Sequence, residues 1–188
     1  LGYEVGKDLK RDDLELALEA LVKGAEDAIS GVSPLVDKPQ RRVALIQIKQ
    51  RRAEESLEQS KAFLAANSKK KGVKTLESGV QYREIEAGQG ESPEATASVT
   101  VNYRGTLIDG TEFDSSYERG RPSTFQVSKL IRGLGEAVQL MKEGGKWEVY
   151  VPSELAYGKR SPRHRIPPNS ALIFEVELVG VKNDVAEQ

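Results

Sequence analysis

The 188-residue sequence predicts an α+β protein: an all-helical region comes first, then an antiparallel β-sheet wrapped on one short helix. Up to about residue 70 the apolar residues recur at helical spacing and almost no stretch alternates. After Gly72 a two-residue period sets in, broken by glycine turns, and only residues 130–141 return to helical spacing. The change of period places a domain boundary at Gly72.

Leu1, Val5 and Leu9 fall at i, i+4 and i+8, while Gly2 and Gly6 lie on a neighbouring face where another helix could approach closely. A second helix starts at Asp12 or Asp13 as a carboxylate cap, carries Leu14, Ala17, Leu18, Leu21, Val22, Ala25 and Ile29 on one side, and stops at Ser30-Gly31. These two short helices expose more apolar stripe than they can cover in each other, and fewer than about 40 residues rarely form an independent core. A second copy of the chain is the expected cover, so residues 1–38 read as a dimerisation module. The chain opens on Leu1 without a leader pattern, which suggests that a leader has been removed or the chain trimmed.

A third helix begins near Pro39 and continues to about Asn67, spanning on the order of 40 Å at 1.5 Å per residue. Its apolar residues cluster at its two ends, and residues 49–59 are nearly all Arg, Glu, Gln and Ser, which reads as the solvated face of an exposed strut. Lys69, Lys70 and Lys71 close it, where the helix dipole favours cations; a polyanion-binding patch is the lesser reading. Residues 39–72 are therefore a connecting helix, 73–182 the β-rich domain and 183–188 a tail.

In the β-rich part a strand covers residues 80–86, and Val99, Val101 and Tyr103 alternate along another. Asp109-Gly110 is a hairpin signal, so a further strand carries Phe113 inward. Phe125 and Val127 suggest a third inner strand, residues 130–141 a helix with Leu134, Ala137, Val138 and Met141 at core spacing, and the alternation resumes at Trp147, Val149 and Val151 and at Leu172, Phe174, Val176 and Leu178.

Composition removes many functions. Lys plus Arg number 28 against 29 Asp plus Glu, so no global charge points to nucleic acid or an anionic membrane, and no apolar run is long enough for a transmembrane segment. Zero cysteines exclude thiol chemistry and disulfides and fit either the cytosol or an oxidising periplasm. The only histidine, His164, has no second member for a triad or a metal cluster, and no phosphate-cradling glycine motif is present, so neither metal nor cofactor is expected. What remains is Asp114, flanked in sequence by Tyr103, Phe113 and Tyr117, with Arg119 near enough to pair; a charge beside so much apolar surface needs a partner. Taken singly, each of these aromatics is more often core than site.

The segments YRGTLIDGTEFDSSYERGRP, LIRGLGEAVQLMKEGGKWEVYVPSELAYG and IPPNSALIFEVELVGV, in that order, closely resemble the FKBP family of peptidyl-prolyl cis-trans isomerases, and in particular its bacterial Mip-like branch. The resemblance covers residues 73–182 and implies an FKBP-like sheet and helix enclosing an active site, preceded by a helical dimerisation region and a long helix. It implies catalysis of X-Pro rotation by Asp114, Tyr157, Tyr103 and Phe113, and substrate contacts from Arg119, Phe125, Leu130, Ile131, Leu134, Ile166 and Phe174. Within that set Tyr103 and Arg119 hold Asp114, and the Tyr157 hydroxyl and Ile131 N–H hold peptide carbonyls. It further implies proline-containing peptides and unfolded or partly folded proteins as partners, macrolides of the rapamycin type as inhibitors, a homodimer, and chaperone activity. The expected location is periplasmic or outer-membrane-associated in a bacterium, with the cytoplasm as alternative. A proline-peptide-binding or holding-chaperone module with weak turnover is the competing function. The sequence departs from the family pattern at Leu134, where tryptophan is usual at the pocket floor, at Ser123, where an aromatic is common, and in the basic stretch 159–165.

Overall fold

The computed structural model describes residues 18–34, 36–160 and 166–183. The helix expected around Leu1, Val5 and Leu9, the cap at Asp12 or Asp13, His164 with most of its basic loop, and most of the tail lie outside the described residues. The chain forms two compact units, Leu1–Arg51 and Arg52–Gln188.

In the first unit α1 (Leu18–Ile29) is followed by α2 (Lys38–Asn67), whose later turns belong to the second unit. Asp37 and Gln40 open α2 as a reciprocal cap: Gln40 N–H donates to Asp37 Oδ1 at 2.8 Å and Asp37 N–H to Gln40 Oε1 at 3.2 Å. Pro39 then sits in the first turn, where its missing N–H costs nothing. Val22, Ile29, Val32, Val36, Val43, Leu45 and Ile46 are all exposed, so most apolar side chains among the described residues of this unit are uncovered.

The second unit is a seven-stranded antiparallel sheet of β1 (Val73–Thr75), β2 (Gln81–Glu86), β3 (Ser98–Leu107), β4 (Glu112–Ser115), β5 (Ser123–Gln126), β6 (Lys146–Val151) and β7 (Leu172–Lys182). The order is β1-β2-β6-β7-β3, and the far side of β3 is shared by β5 along Ser98 to Val101 and by β4 along Arg104 to Thr106. β3 and β4 turn at Asp109-Gly110, with Gly110 at φ 86°, where Leu107 N–H meets Thr111 O at 2.9 Å. The alternation read from the sequence sets one face inward. Val99, Val101, Tyr103, Trp147, Val149, Val151, Leu172, Phe174, Val176 and Leu178 are all buried, beneath α3 (Arg132–Val138) with its buried Leu134, Ala137 and Val138.

Three local readings change. The strand through Phe125 ends at Gln126, because Val127 N–H turns to Ala97 O at 2.9 Å and Val127–Lys129 wind into a 3-10 turn. The helix expected over 130–141 keeps only its middle, since Ile131 remains extended at ψ 143° and Leu140 and Met141 tighten into bonds to Ala137 and Val138. Residues 49–59 do not stay solvated throughout. From Ala53 onward, within the second unit, one face of α2 packs against the sheet: Ser60 and Asn67 are buried, Asn67 Nδ2 donates to Gln81 Oε1 at 3.0 Å, and Phe63 meets Tyr150 at 6.0 Å between ring centres. Tyr150 lies opposite Val149 and Val151 in the pleat, so α2 covers the outer face of β6 while α3 covers the inner one.

Candidate active site

The site begins with the β3–β4 hairpin. Tyr103 on β3 is buried, and its hydroxyl donates to Asp114 Oδ2 at 2.9 Å, across from β4. The other carboxylate oxygen accepts Arg119 Nη1 at 2.8 Å, while Arg119 Nη2 donates to the Tyr103 oxygen at 2.7 Å and to Ser123 Oγ at 3.3 Å. Each atom of the carboxylate is therefore held. Arg119 reaches this place from the turn after β4, where its N–H bonds Ser116 O at 3.1 Å and its guanidinium carbon stands 5.4 Å from the centre of the Tyr103 ring. Ser116, fully buried, fixes the base of that turn by exchanging backbone bonds with Tyr103: its Oγ accepts Tyr103 N–H at 2.8 Å and its N–H donates to Tyr103 O at 2.9 Å.

Electrostatics keep Tyr103 and Arg119 each in one protonation state at neutral pH. Burial pushes the Tyr103 hydroxyl up from its usual range, with the Asp114 hydrogen bond and charge adding to it and Arg119 opposing. The hydroxyl thus stays a donor. The Arg119 guanidinium is pushed further up by its bonds to Asp114 and to Tyr103 and stays charged.

Behind the triad the aromatic rings meet edge to face. Phe113 and Phe174 are 5.7 Å apart at 85°, and Tyr103 and Phe125 are 5.8 Å apart at 64°, distances at which such pairs attract. Gly105 makes the first pairing possible. A Cβ there would lie 2.7 Å from Phe113 Cζ and 3.1 Å from Phe174 Cε1, so no larger residue fits without moving a ring. Tyr103, Phe113, Leu134, Ile166 and Phe174 belong to one buried cluster, and Phe125, Leu130, Ile131 and Tyr157 pack against it half-buried. The residues that the sequence singles out are therefore brought together, with Asp114 and Arg119 at their edge.

Two donors packed against this cluster have no acceptor among the described residues, the Tyr157 hydroxyl and the Ile131 backbone N–H at the head of α3. Tyr117 does not join them. It is 48% exposed, its hydroxyl is raised mainly by burial, and the charges acting on it are those of Lys146, Glu177 and Glu175 from the sheet's outer face. Trp147 does not stand in for the missing indole either, since it stacks flat on Tyr82 at 4.3 Å. Sequence reasoning missed Gly105, Ser116 and Asn169; only the IPPN turn containing Asn169 offered a local signal.

No group of three or more His, Asp or Glu able to hold a metal occurs among the described residues. The arrangement offers a cluster of aromatic and aliphatic side chains, a carboxylate held at both oxygens, and two donors without an acceptor among the described residues. Such a site can strip water from a neutral group and hold it in one orientation.

A family model described as FKBP-type peptidyl-prolyl cis-trans isomerase matches residues 89–179, and one described as the domain amino terminal to that isomerase matches residues 1–83. The outer membrane protein MIP of Legionella longbeachae is 42% identical, with 97% of this chain and 83% of that protein covered. The FKBP-type 22 kDa peptidyl-prolyl cis-trans isomerase of Escherichia coli is 44% identical, with 96% and 92% covered. The crystal structure of FkpA from Escherichia coli superposes with a TM-score of 0.73 at 36% identity, covering 96% of this chain and 91% of that one.

Proposed function

The chain belongs to the FKBP-type peptidyl-prolyl cis-trans isomerases, in their Mip-like branch, and is an isomerase of X-Pro bonds; from that premise we propose that the cup around Asp114 is where the rotation occurs. An X-Pro amide faces a barrier of ~18–20 kcal/mol because resonance keeps it planar. On twisting, the resonance and its charge separation are lost, so the amide depends less on water in the transition state than before it. An apolar cup favours that state, and each 1.36 kcal/mol of difference is tenfold in rate.

In this reading the proline ring lies among Phe113, Phe174, Leu130 and Leu134, with Phe125 and Ile166 at the sides. The Tyr157 hydroxyl and the Ile131 N–H hold the flanking carbonyls. Asp114 faces the twisting amide as a charge that need not reorganise, because Tyr103 and Arg119 already fix both its oxygens. That doubly held carboxylate beside the edge-to-face rings is the observation that carries the reading. Replacing Asp114 by Leu should lower turnover on an X-Pro tetrapeptide roughly 10- to 100-fold, because positioning and desolvation survive without the carboxylate. Unchanged turnover in a folded variant would reduce Asp114 to a structural partner of Arg119.

The exposed apolar residues of the first unit favour a further reading. Residues 1–38 form a homodimer by covering each other's stripe, 39–72 connect, and 73–182 carry the isomerase; the dimer also holds unfolded or partly folded clients. Macrolides of the rapamycin type would enter the same cup. A bacterial periplasmic or outer-membrane-associated location fits a cysteine-free chain with a relative named as an outer membrane protein; among the described residues no helix is long and apolar enough to cross a membrane.

A further inference from the structure

We propose that Ser60 and Asn169 position the pocket from behind, by fastening to α2 the two loops that carry Tyr157 and Ile166; this rests on the aromatic cup being the isomerase site. Asn169 is the hub. It is the one non-glycine residue with positive φ among the described residues, at 60°, and it is nearly buried. Its backbone N–H donates at 2.8 Å to the carbonyl of Gly158, the residue after Tyr157. Its side-chain Nδ2 donates at 2.9 Å to Ala53 O on α2, and its own carbonyl accepts Ser60 Oγ at 3.1 Å. Ser60 Oγ in turn accepts Ala171 N–H at 2.8 Å, and Ser56 and Ser170 hydroxyls meet at 3.2 Å along the same seam.

Ile166, 2% exposed, lies three residues before this hub. Both loops are thereby tied to a helix that places no side chain of its own in the cup. Asparagine is one of the few non-glycine residues that adopts this conformation readily, and here its N–H, side chain and carbonyl are all tied down as well. The Asn169 carbonyl and the Ala171 N–H are buried with Ser60 as their partner, so removing the hydroxyl leaves both unsatisfied and pulls the loop toward water. Movement there reaches Ile166 along the chain and Tyr157 through Gly158. A displacement of about 1 Å in a positioning group can cost up to 10²-fold in rate. Neither Ser60 nor Asn169 touches substrate in this account; both act through the loops.

The test uses the full chain with Ser60→Ala, Ser60→Thr and Asn169→Gly, and with Asp114→Leu as a control on the cup. KM and kcat are measured on an X-Pro tetrapeptide, and backbone amide resonances are followed by NMR. Ser60→Ala should raise KM about 3- to 10-fold with kcat changed less, and should shift the amides of Gly158 and Ile166. Ser60→Thr, which keeps the hydroxyl, should restore both. Asn169→Gly keeps the positive φ and both backbone bonds and loses only the tie to Ala53, so it should move the same readouts in the same direction by less. If Ser60→Ala does not fold, Asn169→Gly carries the test alone. A folded Ser60→Ala that is less stable yet keeps the parental KM and the parental Gly158 and Ile166 amides overturns the proposal. An inert Asp114→Leu would instead sink the cup reading, while the amide shifts would still report whether α2 reaches the loops.

Discussion

Replacing Gly105 by Ala puts one methyl group where the structure has no room for it. The new Cβ would lie 2.7 and 2.8 Å from two Phe113 ring carbons and 3.1 Å from Phe174 Cε1, against an optimum of about 3.5–4.0 Å for carbon pairs. The ring of Phe113 must therefore retreat by roughly 0.7–1 Å. It cannot retreat freely, because it is 6% exposed and packed edge-on against Phe174. Overpacking of this kind costs about 1–3 kcal/mol, so urea unfolding should show the variant less stable by that amount. In the proposed site Phe113 also walls the proline cup, and it precedes Asp114, so the same shift should lower kcat/KM roughly 10- to 100-fold on an X-Pro tetrapeptide. The two losses are coupled through one ring. A folded Gly105→Ala protein with parental stability and parental kcat/KM would show that the ring packing neither limits the fold nor shapes the site.

Leu134→Trp should tighten rapamycin binding by about 1–2 kcal/mol in calorimetry, the scale of a well-packed aromatic contact, and lower KM more than it changes kcat. Binding no tighter than the parent's in a folded variant would mean that the floor of the cup lies elsewhere. The Tyr150 hydroxyl donates to Glu148 at 2.7 Å and is pushed up to about 12, chiefly by burial and then by that bond and charge. A raised value means that its contribution is complete below pH 10 and is lost as pH climbs through about 12. Denaturant titrations should show that loss in the parent and a smaller one in Tyr150→Phe. Removing residues 1–38 should leave a monomer by light scattering that keeps activity on short peptides and loses much of its effect on protein refolding; a full-length chain that is already monomeric at micromolar concentration would refute the dimer.

The sequence shows the sheet because its inner residues alternate, and it singles out Tyr103, Phe113, Asp114 and Tyr157 for the proposed site because they sit in motifs whose order is specific. It does not show the seam between α2 and the loop at Asn169. Ala53, Ser56, Ser60 and Asn67 are small or polar, so no hydrophobic period marks that face, and a solvated strut is what such a composition ordinarily means. Helix α3 is shorter than its apolar spacing suggests because Ile131 stays extended and Leu140 and Met141 close tighter bonds, neither of which an apolar period reveals; Gly133 within it serves close packing, since a Cβ there would fall 2.5 Å from Val151 Cγ1. Gly105 reads in sequence as a weak point in a strand. Only the two rings that meet edge to face against it give it a purpose. Ser123 shows the same lesson in the cup itself. By pattern it is a lost aromatic, whereas in space its hydroxyl accepts from the arginine that holds Asp114.

Exchange spectroscopy of a ¹⁵N-labelled protein with an X-Pro tetrapeptide tests most directly whether the isomerase works in this cup. Peptide resonances give the cis-trans rate while protein amides show where the peptide sits. The account predicts accelerated exchange, amide shifts centred on Tyr103, Ile131, Tyr157 and Phe174, and a rate roughly 10- to 100-fold lower in Asp114→Leu with the same residues still shifting. Accelerated exchange with the shifts centred away from these residues, or a rate in Asp114→Leu equal to the parent's, would contradict it.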